Sequence, residues 1–453
     1  MLGKQETLDM TNGVIWKQLV TFALPMLLGF IFQQFYNTVD SIVVGNFVGK
    51  EALAAVGSTG NILNTLIGFF SGLSTGASVV IARLYGAKDY AGVKKAVHTT
   101  MLMTLILTVL FTALGVSMVP FMLKLMSTPE DVLADATVYL RIYFAGMAGL
   151  MIYNMGAGIL RAVGDSRRPL YFLIFSALVN IAGDLIFVLV FRMGIAGVAY
   201  ATILSQFLSA VLVVIVLMRT DGPHRLALRN LRLDWPMFRS ILNIGFPAAL
   251  QSAITSFSNV FVQGYINVYN SACMAGWSIY GKLDQLALLP MQSITMASST
   301  FVGQNLGAGN IPRTKRGIRT AMIMSVGCTV LTMIPLILFR RTLLSFFNQD
   351  PEVLDFGSMF VLYISPFYLF ACVNDILAGA LRGAGESKAP MVIMLMSFVV
   401  IRQIYLFFIS RAVRHVLPIA MGYPLGWILC AVTQYIYYRK SGWEKKQDRV
   451  LSR

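Results

Sequence analysis

The chain has 453 residues, of which 57% are hydrophobic and only 12% carry a charge. Soluble domains have about 25% charged residues, and a soluble globule has no means of hiding so much apolar surface. This composition excludes a soluble domain, a disordered chain, a coiled coil and a secreted disulfide-rich scaffold. It indicates an integral membrane protein.

Polar spacers divide the sequence into apolar stretches, each near the ~20 residues with which a helix crosses a bilayer. A β-barrel is excluded because runs such as Met101 to Met118 do not alternate apolar and polar residues. The first stretch is longer than the apolar region of a cleavable signal and contains Pro25, so we expect it to remain as the first span. We predict an all-α membrane protein with twelve spans, at about 16–44, 52–81, 94–119, 134–160, 169–191, 194–218, 237–266, 271–301, 317–339, 356–381, 390–410 and 414–438.

The net charge of +16 is carried mostly by lysines and arginines in the short loops and the termini. Most of these bases lie in the even-numbered loops and at the two ends, so the positive-inside rule predicts that both termini and these loops are cytoplasmic. Because the charge follows the loops in this way, it does not indicate a nucleic-acid partner. The 4 cysteines and 3 histidines are scattered singly, which indicates neither a disulfide framework nor a zinc site.

The second half of the sequence repeats landmarks of the first. Pro25 aligns with Pro247, and the stretch 157–166 aligns with 378–387. Two halves of six spans each have the same orientation, and such halves around a central cavity are typical of secondary transporters. We predict two six-helix lobes, at 1–218 and 237–438, related by a pseudo-two-fold axis along the membrane normal. A basic cytoplasmic linker at 219–236 joins them, and a cytoplasmic tail follows at 439–453.

Charged residues inside the predicted spans point to function, because a charge at the bilayer centre costs roughly 2.5–3.5 kcal/mol on insertion scales. The acids in the spans are Asp40, Asp184, Asp284 and Asp375, and the bases are Lys282 and Arg402. The excess of acids favours a cationic substrate, whereas the two bases would suit an anionic head group. A buried structural ion pair is the alternative for these residues.

An oxygen-rich set of polar side chains lies in the first half, and most of its counterparts in the second half are apolar: Asp40, Asn180, Asp184 and Thr202 align with Val262, Ile401, Tyr405 and Cys430. Tyr36 and Asn37 extend the polar stripe of the first span. Two carboxylates with amide and hydroxyl oxygens suit a small hard cation or a shared proton. A hydrogen-bonded network that only holds helices together is the alternative.

Pro25 precedes Asp40 by about four helical turns. A proline inside a helix removes a backbone hydrogen bond and allows a bend. We therefore predict a bend or gate beside the polar set.

Taken together, these features resemble the multidrug and toxic compound extrusion (MATE) transporters over essentially the whole chain. The resemblance depends on the duplicated twelve-span plan and on Pro25, Asp40, the stretch 160–165, Asn180-x-x-x-Asp184 and Ala201-Thr202. It implies export of organic cations and drugs, driven by inward H⁺ or Na⁺, with no other metal or cofactor. The coupling ion is then expected at Asp40, Asn180, Asp184 and Thr202, with support from Tyr36, Asn37 and Asn154.

The pattern is closer to the DinF-like branch of that family than to the NorM-like branch. Members of the NorM-like branch carry a carboxylate in the seventh span, where this chain has Gln251. The resemblance assigns no role to the other charged residues of the second half. Candidate substrate contacts there are Gln251, Lys282, Asp284, Asp375 and Arg402.

We expect a monomeric antiporter, not an enzyme, in the inner (plasma) membrane, with a cationic amphipathic substrate and lipid as its partners. One alternative is a flippase or a narrow-substrate exporter of an amphipathic or lipid-linked metabolite. Related flippases usually have more spans and more buried bases than this chain. The other alternative, a membrane-embedded lipid-modifying enzyme, is disfavoured because no span holds an acidic metal-binding cluster and no His-Glu-x-x-His or Gly-x-Ser-x-Gly motif occurs.

Overall fold

The structure, a computed structural model, describes residues 8–126 and 128–444, and the part of the predicted tail after residue 444 lies outside the described residues. The first six predicted spans correspond to α1 (Ile15–Val43), α2 (Lys50–Gly86), α3 (Tyr90–Leu125), α4 (Glu130–Ala145) with α5 (Met147–Ala162), α6 (Arg167–Leu185) and α7 (Gly194–Arg219). The last six are formed by α8 (Trp235–Ile266), α9 (Ser271–Gly307), α10 (Ile311–Leu338), the short α11 (Arg340–Ser345), α12 (Pro351–Ile364), α13 (Tyr368–Gly383), α14 (Lys388–Leu395), α15 (Arg402–Ala412), the short α16 (Val416–Ala420) and α17 (Gly422–Lys440).

Helices long and apolar enough to cross a membrane account for most of the described chain. Nine such spans occur among the described residues, and α4 with α5 forms a tenth that is bent by 48°. The two remaining long helices, α8 with 32 residues and α9 with 37, are long enough but more polar. The prediction of an all-α protein with many membrane spans is confirmed.

Three spans predicted as continuous helices contain a break, and the twelfth breaks at Met421, between α16 and α17. The fourth breaks at Gly146, where a Cβ would lie 2.4 Å from the Ile203 side chain, so the absent side chain lets α7 approach closely. The tenth contains a 3₁₀ turn, Ser365–Phe367, that includes Pro366. Proline lacks the backbone N–H that a continuous α-helix requires.

Three spans contain a π-helical turn, which widens the backbone ring by one residue. These turns are Val44–Val48 after α1, Ile186–Val190 after α6 and Met396–Ile401 before α15. Such turns are rare and occur frequently at functional sites. Here they follow Asp40 and Asp184 and precede Arg402, all charged residues that the sequence places inside spans.

The described helices form two compact units. Unit 1 contains Leu28–Ala249, and unit 2 contains Met10–Leu27 together with the chain from Leu250 onward. Each of α1 and α8 is divided between the two units. The division lies after Leu27 in α1 and after Ala249 in α8, two residues beyond Pro25 and Pro247. The limits predicted for the lobes from the sequence stay predictions.

In unit 1, α2 and the first part of α8 meet at backbone contact. A Cβ on Gly76 would lie 2.4 Å from the backbone nitrogen of Gly245, and one on Gly72 would lie 2.3 Å from that of Ala249. Small residues spaced four apart allow helix backbones to approach closely in membranes. Glycine at these two positions of α2 is therefore a condition of the packing in unit 1.

In unit 2, the segment before α1 is bound to α9 and α10. The Met10 backbone N–H donates to Gln304 Oε1 at 3.0 Å, and Asn305 Nδ2 donates to the Met10 carbonyl at 3.0 Å. Arg313 Nη2 donates to Gln18 Oε1 at 2.9 Å and to the Met10 carbonyl at 3.3 Å. A single guanidinium of α10 thus binds both Met10 and Gln18.

We expect Arg313→Ala to loosen this segment. Hydrogen bonds to charged groups contribute about 1.5–3 kcal/mol each, so amide exchange of residues 10–18 should accelerate by about tenfold or more. Hydrogen–deuterium exchange measures this effect, and Arg316→Ala, an exposed arginine on the same helix, is the control. Equal exchange of the segment in wild type and Arg313→Ala would contradict the contact.

The connection between α7 and α8 contains a buried histidine. His224 is 2% exposed, and its Nε2 lies 3.3 Å from Thr220 Oγ1. Burial, and then the charge of Arg168, lowers the pKa of His224 to about 4. The folded protein therefore holds this imidazole neutral at pH values where an unfolded chain would protonate it.

This difference predicts a loss of stability in acid that His224→Gln removes. An unfolded histidine has a pKa of about 6.5. Because the pKa of folded His224 is lower, the free energy of unfolding is unaffected by this residue above that pH and falls as the pH drops towards 4. The expected loss at pH 5 is ~2 kcal/mol of unfolding free energy. Hydrogen–deuterium exchange of residues 220–234 at pH 7.5 and pH 5 measures it, with His415→Gln, an exposed histidine, as control. An unchanged acid response in His224→Gln would refute the assignment.

Candidate functional site

Unit 1 contains the whole set of polar residues predicted for the coupling ion. Tyr36, Asn37 and Asp40 lie on α1, and Asn154 lies on α5. Asn180 and Asp184 lie on α6, and Thr202 lies on α7. Residues from distant parts of the sequence are thus gathered in one compact unit.

The centre of this set is a pair of carboxylates. The side chains of Asp40 and Asp184 lie within hydrogen-bonding reach of each other. Asp184 is fully buried, at 0% exposure, and Asn180, one turn earlier, is 1% exposed. Asn180 Nδ2 lies 3.5 Å from Thr202 Oγ1, which itself donates to the Val198 carbonyl at 3.0 Å. The two acids, the amide and the hydroxyl therefore form one group.

Four oxygens of this group accept no hydrogen bond from the described protein: Asp40 Oδ1, Asn180 Oδ1 and both carboxylate oxygens of Asp184. Two ionised carboxylates at such close range repel each other strongly in a medium of low dielectric constant. A proton shared between them relieves this repulsion, and so does a cation with a preference for oxygen ligands. The residues present therefore fit either H⁺ or Na⁺.

Tyr139 of α4 borders the carboxylates, and neither it nor its neighbour Tyr143 was predicted from the sequence. Tyr139 lies close enough to Asp40 and Asp184 to interact with the charge of both. Tyr143 accepts a hydrogen bond from Gln206 Nε2 at 3.3 Å, and its ring centroid lies 6.3 Å from that of Tyr139. Their spacing of four residues on one helix face was the available signal, but it did not show which neighbour this face contacts.

The predicted supporting residues differ in their surroundings. Tyr36 lies near Asp40 and is hydrogen-bonded to Gln33, whereas Asn37 is exposed. Asn154 Nδ2 donates to the Leu150 carbonyl of its own helix at 2.8 Å. Its role in the site stays a prediction.

Pro25 is buried within α1, and the helix continues through it. This arrangement keeps the predicted gate on the helix that carries Asp40. A gating role for Pro25 stays a prediction.

The acids predicted in unit 2 each have their own partners. Asp284 accepts a hydrogen bond from the Tyr280 hydroxyl at 3.2 Å. Asp375 accepts one from Asn374 Nδ2 at 3.0 Å and lies within range of the charge of Arg382. These two carboxylates belong to separate local networks.

The remaining candidates in unit 2 are Gln251, Lys282 and Arg402. Lys282 is exposed, and its ammonium lies 5.5 Å from the ring centroid of Phe347. Gln251 Oε1 is buried without a hydrogen-bond partner among the described residues. Arg402 is 2% exposed and contacts α8. A role of these residues in substrate binding stays a prediction.

Comparison with known proteins supports the interpretation of the repeat. The sequence model of the family described as MatE matches residues 25–186 and again 247–408. The two matches begin at Pro25 and Pro247, the pair of prolines that the repeat aligns. The duplicated plan is therefore confirmed independently of the landmarks from which it was predicted.

Individual relatives extend over nearly the whole chain. "Probable multidrug resistance protein YpnP" of Bacillus subtilis (strain 168) is 30% identical, covering 96% of this chain and 97% of its own. "Probable multidrug resistance protein NorM" of Thermotoga maritima is 26% identical, covering 97% and 95%. A solved structure described as "Outward-facing conformation of a multidrug resistance MATE family transporter of the MOP superfamily" has a TM-score of 0.90 at 21% identity, covering 99% and 100%. The likeness confirms the twelve-helix, two-lobe fold.

Proposed function

The chain belongs to the MatE family of transporters, and on this premise we propose that it is a secondary active antiporter, exporting organic cations and drugs in exchange for inward H⁺ or Na⁺. Its relatives support drug efflux as the general function of this multi-pass membrane protein. Beyond this general function, we propose the coupling ion, the direction of exchange and the positive charge of the substrate.

The observation that carries the proposal is the pair formed by the half-buried Asp40 and the buried Asp184. Ionisable groups inside a membrane protein characteristically mark ion pathways and proton relays. Here two carboxylates lie within hydrogen-bonding reach and retain oxygens that have no hydrogen-bond partner among the described residues. Such a pair changes its net charge when a proton or Na⁺ binds, which is the property that a coupling site requires.

The proposed cycle alternates between two conformations. In the outward-facing one, an ion binds at Asp40 and Asp184, and substrate leaves; in the inward-facing one, the ion is released and new substrate binds. Coupling requires that ion and substrate each bind the two conformations with different affinity. The π-helical turns after Asp40 and Asp184 support a conformational change at these residues. At both turns the regular hydrogen-bond pattern of the α-helix is already interrupted.

We further infer the cellular setting from the charge distribution. The basic loops and termini favour an inner-membrane protein with both ends in the cytoplasm. A monomer with a cationic amphipathic substrate is proposed, with no cofactor besides the coupling ion and no enzymatic activity.

Gradient-driven efflux tests this function. Purified protein in liposomes loaded with ethidium is exposed to a pH gradient or a Na⁺ gradient, imposed separately, beside protein-free liposomes. We expect efflux under one of the two gradients. Absence of efflux under both would refute ion-coupled export of this cation.

A flippase or a narrow-substrate exporter would give a different pattern. Its function should depend on the basic residues Lys282 or Arg402 and not on Asp40. A membrane-embedded enzyme would turn over a lipid without any ion gradient. The buried Arg402 is the specific observation that favours an acidic substrate group.

A further inference from the structure

Arg402 is a buried cation with no acidic partner in the part of the chain that the structure describes. It is 2% exposed and lies at the start of α15, directly after the π-helical turn Met396–Ile401. Among the described residues, no carboxylate forms a salt bridge with its guanidinium. Its Nε is buried and has no hydrogen-bond partner in the described part of the chain.

The groups that surround this guanidinium are neutral. Arg402 Nη2 donates to Ser258 Oγ at 2.9 Å and to Asn259 Oδ1 at 2.8 Å. The guanidinium lies 4.8 Å from the ring centroid of Tyr423. Hydroxyl, amide and aromatic ring orient the cation but do not neutralise it, and an unneutralised charge is costly inside a membrane.

A purely structural role does not account for the charge. Gln403, the next residue, already links α15 to α8, because its Nε2 donates to the carbonyl and the hydroxyl of Ser258 at 3.2 and 3.1 Å. A neutral side chain thus makes the same interhelical connection. Arg402 adds a positive charge and an Nε–H donor that no described residue accepts from.

The repeat places Arg402 next to the counterpart of a coupling-site residue. Ser258 and Asn259 align with Tyr36 and Asn37 of the first half, and Arg402 follows Ile401, the residue that aligns with Asn180. Arg402 itself aligns with Ile181, and the carboxylates Asp40 and Asp184 align with the uncharged Val262 and Tyr405. Unit 2 therefore carries a guanidinium next to a position that corresponds to the coupling site, and it has no carboxylate where unit 1 has its pair.

We propose that Arg402 binds an anionic group of the substrate, a carboxylate or a phosphate ester carried on an aromatic body. A planar guanidinium matches the geometry of these anions, and its free Nε supplies the donor. Aromatic rings continue from Tyr423, whose centroid lies 5.6 Å from that of Trp277 and 6.0 Å from that of Trp427. This inference rests on the proposed transport function and adds aromatic compounds that carry an acidic group to its substrates.

Binding of three matched probes tests the proposal. We would titrate the purified full chain by calorimetry with 1-naphthoate, 1-naphthamide and 1-naphthylmethylammonium, which share one ring system and differ in charge. Wild type should bind the acid at least about tenfold more tightly than the amide. Arg402→Gln should abolish this preference and should not weaken binding of the ammonium compound, because it removes a positive charge from the site.

Arg411→Gln is the matched control, because it removes an exposed arginine from the same helix. It should retain the preference for the acid. If Arg402→Gln does not fold, Arg402→Lys keeps the charge but not the planar fork and should bind the acid several-fold more weakly. Equal binding of acid and amide by wild type, the wild-type preference in a folded Arg402→Gln, or wild-type affinity for the acid in Arg402→Lys would overturn the proposal.

The outcome is separable from that of the antiport experiment. Probe binding is measured without any ion gradient, whereas antiport is measured as ethidium efflux under a gradient. Absence of ethidium efflux together with Arg402-dependent binding of 1-naphthoate would retain the anion site and reject the proposed exchange. Ion-driven ethidium efflux with no preference for 1-naphthoate would retain the proposed exchange and reject the anion site.

Discussion

Replacing Asp40 or Asp184 by asparagine is expected to reduce ion-driven ethidium efflux to the level of protein-free liposomes. Asparagine keeps the size of the side chain but cannot take up a proton and contributes no negative charge to Na⁺. Because both carboxylates belong to one pair, each single substitution should have nearly the full effect. Efflux from liposomes containing equal amounts of purified protein measures it.

The control for this prediction is Thr38→Val on the same helix. Thr38 is exposed, and its hydroxyl donates to the Gln34 carbonyl of its own helix at 2.9 Å, so its loss should leave efflux near the wild-type rate. Wild-type efflux by both asparagine variants would show that the pair is not the coupling site.

Gly76→Leu is expected to prevent unit 1 from packing. A Cβ at this position would lie 2.4 Å from a backbone nitrogen of α8, and backbone atoms have no rotamer with which to move aside. Overpacking against side chains costs about 1–3 kcal/mol, and a clash with backbone exceeds that range. We expect loss of the monodisperse peak on size-exclusion chromatography and a sharp fall in yield.

Gly57→Leu is the matched control on α2. Gly57 is exposed, and nothing lies within 4 Å of a Cβ built there. The same substitution should therefore leave yield and elution close to those of wild type. A folded, monodisperse Gly76→Leu protein would contradict the close contact between α2 and α8.

The sequence predicts the fold well because membrane helices are specified by local composition. Apolar stretches of sufficient length have no alternative to the helix inside a bilayer, since every backbone polar group must be paired there. The repeat, visible at Pro25 and Pro247, then organises twelve spans into two halves. The carboxylates of the candidate site were identified because charges are rare inside spans.

Features that depend on tertiary packing were not predictable. The π-helical turns beside Asp40, Asp184 and Arg402 share no composition signal, because one is wholly apolar and the other two mix apolar residues with Gly45 and Asn46 or with Ser397. The bend at Gly146 depends on where α7 passes, and the position of Tyr139 beside the carboxylates depends on the rotation of α4. The bend and the position of Tyr139 both involve contacts with a helix that is distant in sequence.

Simultaneous measurement of ion entry and ethidium exit in the same liposomes is the most direct test of ion-coupled export through Asp40 and Asp184. A pH-sensitive dye or a Na⁺-sensitive dye inside the vesicles reports the ion, and ethidium fluorescence reports the substrate. For wild type we predict that one ion enters only while ethidium leaves, and that both movements stop in Asp40→Asn. Ethidium efflux without ion entry, or coupled movement that persists in Asp40→Asn, would contradict a coupling site at these carboxylates.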